Sequence, residues 1–399
     1  MENNMLKSLG VVSMVACLFI IAGCAVPARK AEEIVFFPPP PGLARVQYLT
    51  SFTGSKDIAE ETAFQKFVVG ERTARVLDKP YGVAIYDGKI YVCDSNDTVI
   101  VIDLKAKTYE PLKGTNGAGK LVQPLNISIE ADGTKYVTDP VRGQIVVFDR
   151  NDEYKSAYGA PGKWKPVDAE PFEDRLYAVD NMNGAITVFD KKSGEIIRTI
   201  GDKGEVAERL VRPTNIAFDQ TGNLYVSDVG RFQIVKFNRE GRFISTIGKL
   251  GNNLGHFARP KGIAVDRAGR LYAVDAAFNN VQIFSNQGRF LMFFGEAGQE
   301  AGNLLLPAKV AISYDNLQYF RKYADPNFEM QYLIFVTSQV GKRMVNVFAY
   351  GRERDKQYPS DEELLKKIQE KRSLEQERIQ GLPAAEKGDG TDADEKKRP

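Results

Sequence analysis

The stretch that decides the fold runs from Gly251 to Gly295 and reads GNNLGHFARPKGIAVDRAGRLYAVDAAFNNVQIFSNQGRFLMFFG. Pro260 stands just before an apolar run, and aromatic, β-branched and small residues then alternate up to Asp275, as they do in strands. A third run ends at Phe284 and a fourth at Gly295. The stretch therefore predicts four short strands that are separated by turns.

The same pattern recurs along the chain. Its proline stands at Pro80, Pro124, Pro166, Pro213, Pro260 and Pro307, at spacings of 44, 42, 47, 47 and 47 residues. The aspartate that ends the second strand recurs in five units, at Asp94, Asp139, Asp180, Asp228 and Asp275. Four strands in a repeat of about 40 to 50 residues are typical of a propeller blade. The chain therefore contains six such units.

The sixth unit lacks a fourth strand, because the sequence after Tyr350 becomes charged and helical. The stretch VQYLTSFTG at residues 46–54 matches the fourth strands GRFISTIG and GRFLMFFG of units four and five. A strand supplied from the N-terminus would close the ring and protect edges that an open array leaves unpaired. We predict an all-β, six-bladed β-propeller over residues 44–353 that the N-terminal strand closes.

Units four and five resemble the NHL-repeat family, whose pattern combines a Gly-rich loop, Phe, Arg-Pro, a Gly-Ile-Ala-Val-Asp strand, a strand ending in Asp and a strand ending in Phe. The register covers residues 45–350, and the other units are more diverged. The resemblance implies an NHL-type ring. Propellers resembling NHL that act as lyases use several histidines, or a histidine with a channel metal. This chain has only His256 and departs from that pattern.

Residues 1–23 predict a bacterial lipoprotein signal peptide. Lys7 precedes the apolar run Leu9–Ala22, and Cys24 directly follows in a sequence that resembles the lipobox. Acyl chains on Cys24 would anchor the protein to a bilayer, since each buried methylene contributes about 0.8 kcal/mol. By resemblance to lipoproteins of two-membrane bacteria, Ala25 implies the outer membrane, and the leaflet is left open. The alternative is a plain signal peptide.

Two segments flank the predicted ring. Residues 24–43 contain Pro38–Pro41 and predict a stiff, extended tether. Residues 354–399 predict a charged helix that starts at Ser360 and runs to about Gln380, followed by a disordered tail. Cys93 would have no disulfide partner other than the lipidated Cys24.

The composition excludes several classes of function. The 54 Lys and Arg residues nearly balance the 52 Asp and Glu residues, so no global field recruits nucleic acid. One histidine excludes a multi-His metal site. Gly-x-Ser-x-Gly and Walker motifs are absent from the sequence. His256 lies in a repeat loop, and a structural role is favoured because a catalytic histidine needs an orienting partner. We predict that the protein is not an enzyme.

The five register aspartates have two interpretations. They could face the central channel and bind a cation such as Ca²⁺. They could instead accept backbone hydrogen bonds in the turn before the next strand. The second interpretation is favoured, because calcium sites usually add converging carbonyl groups. No cofactor is therefore predicted, and Ca²⁺ in the channel is kept as the alternative.

Unit six carries an insert. Pro307 and Ser338 are 31 residues apart, whereas 14 or 15 residues separate the equivalent positions elsewhere. The insert is rich in the aromatic and basic residues that are common in binding hot spots. The candidate partner contacts are Tyr319, Phe320, Arg321, Lys322, Tyr323 and Phe328. The alternative is that these rings pack on the blade itself.

The sequence is thus interpreted as a lipid-anchored, non-catalytic platform for an envelope protein or an extracellular polymer. Two other readings stay open. One is a metal-dependent lyase or hydrolase that uses His256 and aspartates of the channel. The other is a purely structural lipoprotein of the envelope.

Overall fold

A computed structural model describes residues 34–58, 74–96, 98–206 and 208–380. The predicted signal peptide, the lipidation site Cys24 and the predicted disordered tail lie outside the described residues. The described chain forms six antiparallel sheets, one for each blade of a six-bladed β-propeller, as predicted.

The first five blades contain four strands each, in chain order from the centre of the ring outwards. Blade one has β3 (Pro80–Tyr86), β4 (Lys89–Asp94), β5 (Val99–Asp103) and β6 (Thr108–Pro111). Blade two has β7 (Asn126–Ile129), β8 (Lys135–Asp139), β9 (Gln144–Phe148) and β10 (Tyr154–Tyr158). Blade three has β11 (Pro166–Phe172), β12 (Arg175–Asp180), β13 (Ala185–Asp190) and β14 (Ile196–Ile200).

The next two blades follow the same plan. Blade four has β15 (Pro213–Phe218), β16 (Leu224–Asp228), β17 (Gln233–Phe237) and β18 (Phe243–Ile247). Blade five has β19 (Pro260–Val265), β20 (Leu271–Asp275), β21 (Asn280–Phe284) and β22 (Phe290–Phe294).

Blade six is assembled from both ends of the ring. It contains β23 (Pro307–Ser313), β24 (Phe328–Ser338) and β25 (Val345–Glu353), followed by β2 (Val46–Phe52) and β1 (Phe36–Phe37). β2 pairs with β25 in antiparallel register, from Val46 opposite Tyr350 to Phe52 opposite Val345. The predicted closure by the N-terminal strand is confirmed.

The segment before β2 differs from the extended tether predicted over residues 24–43. Phe36 pairs with Gln47 in β2, so β1 is a fifth strand of blade six. The Phe37 ring lies 6.1 Å from that of Phe294 and 6.2 Å from that of Phe348, between centroids. These aromatic contacts outweigh the preference of the following prolines for an isolated, extended spacer. Residues 34–43 therefore belong to the folded blade.

The channel is bounded by the first strand of each blade. Each first strand contacts the first strands of both neighbouring blades. All six begin near the register prolines, so these prolines share one side of the ring, which we call the proline face. It also carries the loops that connect fourth strands to first strands and second strands to third strands. The opposite face carries the remaining turns and the insert of blade six.

The helix α1 (Asp361–Gln380) follows blade six and begins where the sequence predicts. The Glu363 backbone N–H donates to Ser360 Oγ at 3.2 Å, and the Ser360 N–H donates to Glu363 Oε2 at 2.8 Å. This reciprocal cap satisfies two backbone donors at the start of the helix. None of the helices in the described part of the chain has the length and apolar character needed to span a membrane.

Candidate functional site

The register aspartates lie at the ends of second strands, on the proline face. Asp94 accepts hydrogen bonds from the backbone N–H groups of Asp78 (2.7 Å) and Lys79 (2.9 Å). Asp275 accepts one from Ala258 at 2.8 Å. The equivalent bonds are accepted by Asp139, Asp180 and Asp228. This geometry corresponds to the turn-stabilising interpretation, and within the described ranges no three His, Cys, Asp or Glu residues are grouped to hold a metal ion.

In the first five blades, these bonds also fix the residue that precedes the register proline. Its backbone N–H donates to the aspartate, so its side chain starts from an equivalent point beside the channel in these blades. Four blades carry an exposed cation there, namely Lys79, Lys165, Arg212 and Arg259. The aspartates thus position a set of positive charges around one mouth of the channel.

An ion pair crosses the channel. Asp168 on β11 and Lys309 on β23 belong to blades three and six, which lie opposite each other in the ring. Lys309 Nζ is 2.8 Å from Asp168 Oδ2, and the two side chains are 4% and 0% exposed. The same oxygen accepts hydrogen bonds from Asn215 Nδ2 (3.1 Å) and from the Ile216 N–H (3.0 Å). Three donors therefore compensate the burial of this carboxylate.

A second contact joins blades one and four. The Tyr81 hydroxyl donates to Asn215 Oδ1 at 3.5 Å, and burial together with the Asp168 charge raises the pKa of Tyr81, so the hydroxyl stays protonated. Lys261 lies on the mouth side of this contact, with Nζ 5.0 Å from the Tyr81 ring centroid. Burial, Arg259 and Lys79 lower the pKa of Lys261 to about 8. Side chains therefore occupy the axis, and positive charge gathers at the mouth.

Glu170 follows Asp168 by two residues on β11 and is half-buried. Burial raises the pKa of Glu170 to about 8, with Lys309 acting against the rise and Asp168 adding to it. A carboxyl group that stays protonated at neutral pH can donate a hydrogen bond or a proton. The channel therefore holds one carboxyl group with a raised pKa, at Glu170, beside the ion pair of Asp168 and Lys309.

Sequence reasoning missed this channel cluster, although a signal was present. The third residue of each repeat, counted from the register proline, is a glycine in units one and five, at Gly82 and Gly262. The other units carry Asn126, Asp168, Asn215 and Lys309 there. Charged residues at a position that a repeat leaves to glycine indicate a specific contact.

The insert of blade six corrects part of the predicted partner surface. Phe320 is 0% exposed and Phe328 is 3% exposed, so neither ring is available to a partner. The Phe320 ring lies 5.7 Å from Phe335 and 6.4 Å from Phe52, between centroids. The rings are buried because the insert folds back over the closure strand and blade one. For these two residues, self-packing is the observed arrangement.

The rest of the insert reaches the surface of the opposite face. Tyr319 and Tyr323 are half-buried, whereas Arg321 and Lys322 are exposed. Lys322 Nζ lies 4.8 Å from the Tyr323 ring centroid. Of the six candidate residues, only the two cations are fully presented to a partner.

The remaining candidates are held by the scaffold. His256 is half-buried in the loop before β19, where its backbone N–H donates to the Asn253 carbonyl and its own carbonyl accepts from Gln282 Nε2. Cys93 is buried in β4, and burial raises the pKa of its thiol, which keeps the thiol neutral.

Comparison with known families agrees with the fold. The model of the family DUF5128, described as a 6-bladed beta-propeller, matches residues 169–248, which cover most of blades three and four. A comparison with curated proteins gives no match.

Several solved structures are similar. A protein of unknown function from Bacteroides thetaiotaomicron is 15% identical, covers 76% of this chain and 75% of its own, and gives a TM-score of 0.55. An auxiliary nutrient binding protein of the same organism is 14% identical. The match covers 69% of this chain and 69% of that one, with a TM-score of 0.52. A gluconolactonase from Xanthomonas campestris is 15% identical. The match covers 81% of this chain and 99% of that one, with a TM-score of 0.47. The likeness to the two Bacteroides proteins, at 15% and 14% identity, shows the propeller fold alone.

Proposed function

We propose that this chain is a lipid-anchored, NHL-type propeller of the bacterial envelope that acts as a non-catalytic platform for a protein partner or an extracellular polymer. The sequence before the ring supports the anchor, since a lipobox-like segment ends at Cys24. The recurrent unit of blades four and five supports the NHL assignment. A rigid ring with two broad faces suits binding, although many propellers share that shape.

One observation carries the proposal, namely the way in which the insert of blade six is held. Phe320 and Phe328 are buried in the apolar core, so they act as anchors for the segment between them. Arg321 and Lys322 lie in that segment and are exposed. A preorganised segment loses little conformational entropy when it binds. Its charge favours a partner that presents acidic groups.

An acid–base enzyme is the second candidate, and the raised pKa of Glu170 favours it. The contacts across the channel favour the platform instead. Lys309 of blade six and Tyr81 of the neighbouring blade one extend into the space that a substrate approaching Glu170 from the proline face would need.

The platform is tested by reversing the two exposed charges of the insert, Arg321→Glu with Lys322→Glu, in the full chain. We expect the main cross-linked partner in intact cells to be lost, because surface charge complementarity guides association. The matched control reverses Arg150 and Lys192, which are exposed in other turns of the same face. An unchanged set of partners from a normally folded insert variant would contradict the proposal.

A further inference from the structure

Followed from β1 back towards the N-terminus, the chain runs towards the proline face. The Tyr48 N–H donates to the Val35 carbonyl at 2.9 Å, so the chain still runs along β2 at this point. A Cβ atom on Gly302 would lie 3.1 Å from Val35 Cγ1. Gly302 belongs to the loop between β22 and β23, on the proline face. Nine residues lie between Cys24 and Ile34, and the ten steps from one to the other span at most about 35 Å.

The proline face also concentrates exposed apolar side chains. Ten of the seventeen large apolar residues that are exposed in the described part of the chain lie in its loops. They are Val76, Val122, Val141, Met182, Val206, Val211, Leu250, Leu254, Leu306 and Val340. Every blade contributes at least one. The other seven lie near the N-terminus, on outermost strands or on α1, so the loops of this face carry the exposed apolar residues. Apolar residues that gather on one surface mark an interaction site.

The chemistry of these residues favours a broad, flat occupant. All ten are aliphatic or Met, whereas protein-binding hot spots are enriched in Trp, Tyr and Arg and cluster near one centre. Side chains of this kind around a whole ring can dip shallowly into the headgroup region of a bilayer.

The charges of the face agree with an anionic surface. Lys79, Lys165, Arg212 and Arg259 surround the channel mouth and are exposed. Among the described residues, the exposed acids of this face are Asp202, Glu205, Glu296 and Glu300, which lie just after outermost strands, and Asp78, which lies beside Lys79 at the mouth. The four cations therefore outnumber the one exposed carboxylate beside them. Cations next to anionic lipids strengthen membrane association, by about fivefold for each Lys or Arg.

We infer that the proline face lies against the anionic phospholipid surface of the leaflet that carries the anchor. The inference rests on the anchor of the proposed function. In this orientation the proline face contacts the membrane, and the insert of blade six is directed away from it. The tether before Ile34 is short enough to hold the face at the bilayer.

The test uses the full, lipidated protein in vesicles of phosphatidylethanolamine and phosphatidylglycerol that contain a headgroup-linked quencher. A fluorophore is placed on Leu254→Cys or Met182→Cys of the proline face, or on Ala106→Cys of the opposite face as the control. All three positions are exposed, whereas Cys93 is buried. We expect strong quenching at positions 254 and 182 and little at 106. Equal quenching at the two faces, or stronger quenching at 106, would overturn the inference.

The charge dependence gives a second measurement. Reversal of Lys165 and Arg212 to Glu should lower the equilibrium between docked and undocked ring by about 25-fold or more, because two fivefold contributions are removed. Reversal of Arg150 and Lys192 on the opposite face should leave it unchanged. An equal effect of both double variants, or none of either, would contradict docking on anionic lipid. An acidic protein as the true occupant would leave position 254 unquenched in protein-free vesicles.

Failure of the anchor is distinguishable from failure of the docking. The mass of the mature N-terminal peptide reports whether Cys24 carries acyl chains. An unmodified Cys24 would contradict the proposed function whichever face is quenched. An acylated Cys24 with no preference between the faces would contradict only the docking.

Discussion

At the scale of single residues, the feature that distinguishes this ring is the contact between Asp168 and Lys309 across its centre. Both side chains are buried, and the carboxylate has three donors around it. A buried pair of this kind adds little stability over an apolar pair, but the loss of one member leaves an uncompensated charge. The two residues are 141 positions apart, so the pair couples opposite sides of the ring.

Replacement of Lys309 by Met should therefore lower the free energy of unfolding by about 3 kcal/mol, because Asp168 would be left charged and buried. Urea denaturation at neutral pH measures the change. Arg352→Met removes one member of an exposed pair with Glu329 and should cost under about 1 kcal/mol. The double variant Lys309→Met with Asp168→Asn should recover part of the loss. Equal losses of unfolding free energy in Lys309→Met and Arg352→Met would show that the channel pair matters no more to stability than an exposed pair.

Glu170 predicts a pH dependence of a definite sign. Its pKa is about 8 in the folded chain, above the ordinary value of 4.5. The unfolded chain therefore releases this proton first as the pH rises, and the free energy of unfolding falls between about pH 4.5 and pH 8. Glu170→Gln removes the proton equilibrium, so the variant should gain stability relative to the natural protein as the pH rises.

Urea denaturation at pH 5, 6.5 and 8.5 tests this expectation. Glu153→Gln, at an exposed position of the opposite face, is the control for the removal of a negative charge. A difference between Glu170→Gln and the natural protein that stays constant, or shrinks, from pH 5 to pH 8.5 would contradict the raised pKa.

At the scale of elements, the closure strand β2 and the insert of blade six depend on each other. Phe52 on β2 is 3% exposed, and its ring packs against Phe320 of the insert. The same cluster includes Phe335 of β24 and Ile102 of blade one. The strand that closes the ring thus also holds the segment that presents Arg321 and Lys322. The repeat predicted the strand, but it contained no information on which rings the insert would bury.

Phe52→Ala should cost about 3 to 5 kcal/mol of stability, since it removes a buried ring and leaves a cavity at the closure. Ile244→Ala is the matched control, because it lies on the fourth strand of blade four and is 46% exposed. Its cost should stay under about 1 kcal/mol. Thermal and urea unfolding of both variants give the comparison. A Phe52→Ala protein as stable as the control would argue against β2 as the strand that secures the ring.

At the scale of the whole molecule, the ring has two chemically different faces. The proline face combines exposed aliphatic residues from every blade with cations around the channel mouth. The opposite face presents the insert and the turns within the blades. β1 docks on the outer edge of blade six, and its N-terminal end points towards the proline face. Together with the anchor that we propose at Cys24, this polarity predicts one preferred orientation of the ring on a membrane.

The sequence alone determined the number of blades, the closure by an N-terminal strand, and the start of α1. These features follow from local periodicity, from one missing repeat element and from capping chemistry, all of which can be read along the chain. Only the tertiary structure decided the contact of Asp168 with Lys309, the burial of Phe320 and the docking of β1. Such features depend on side chains that are far apart in sequence, and they meet only when the ring closes.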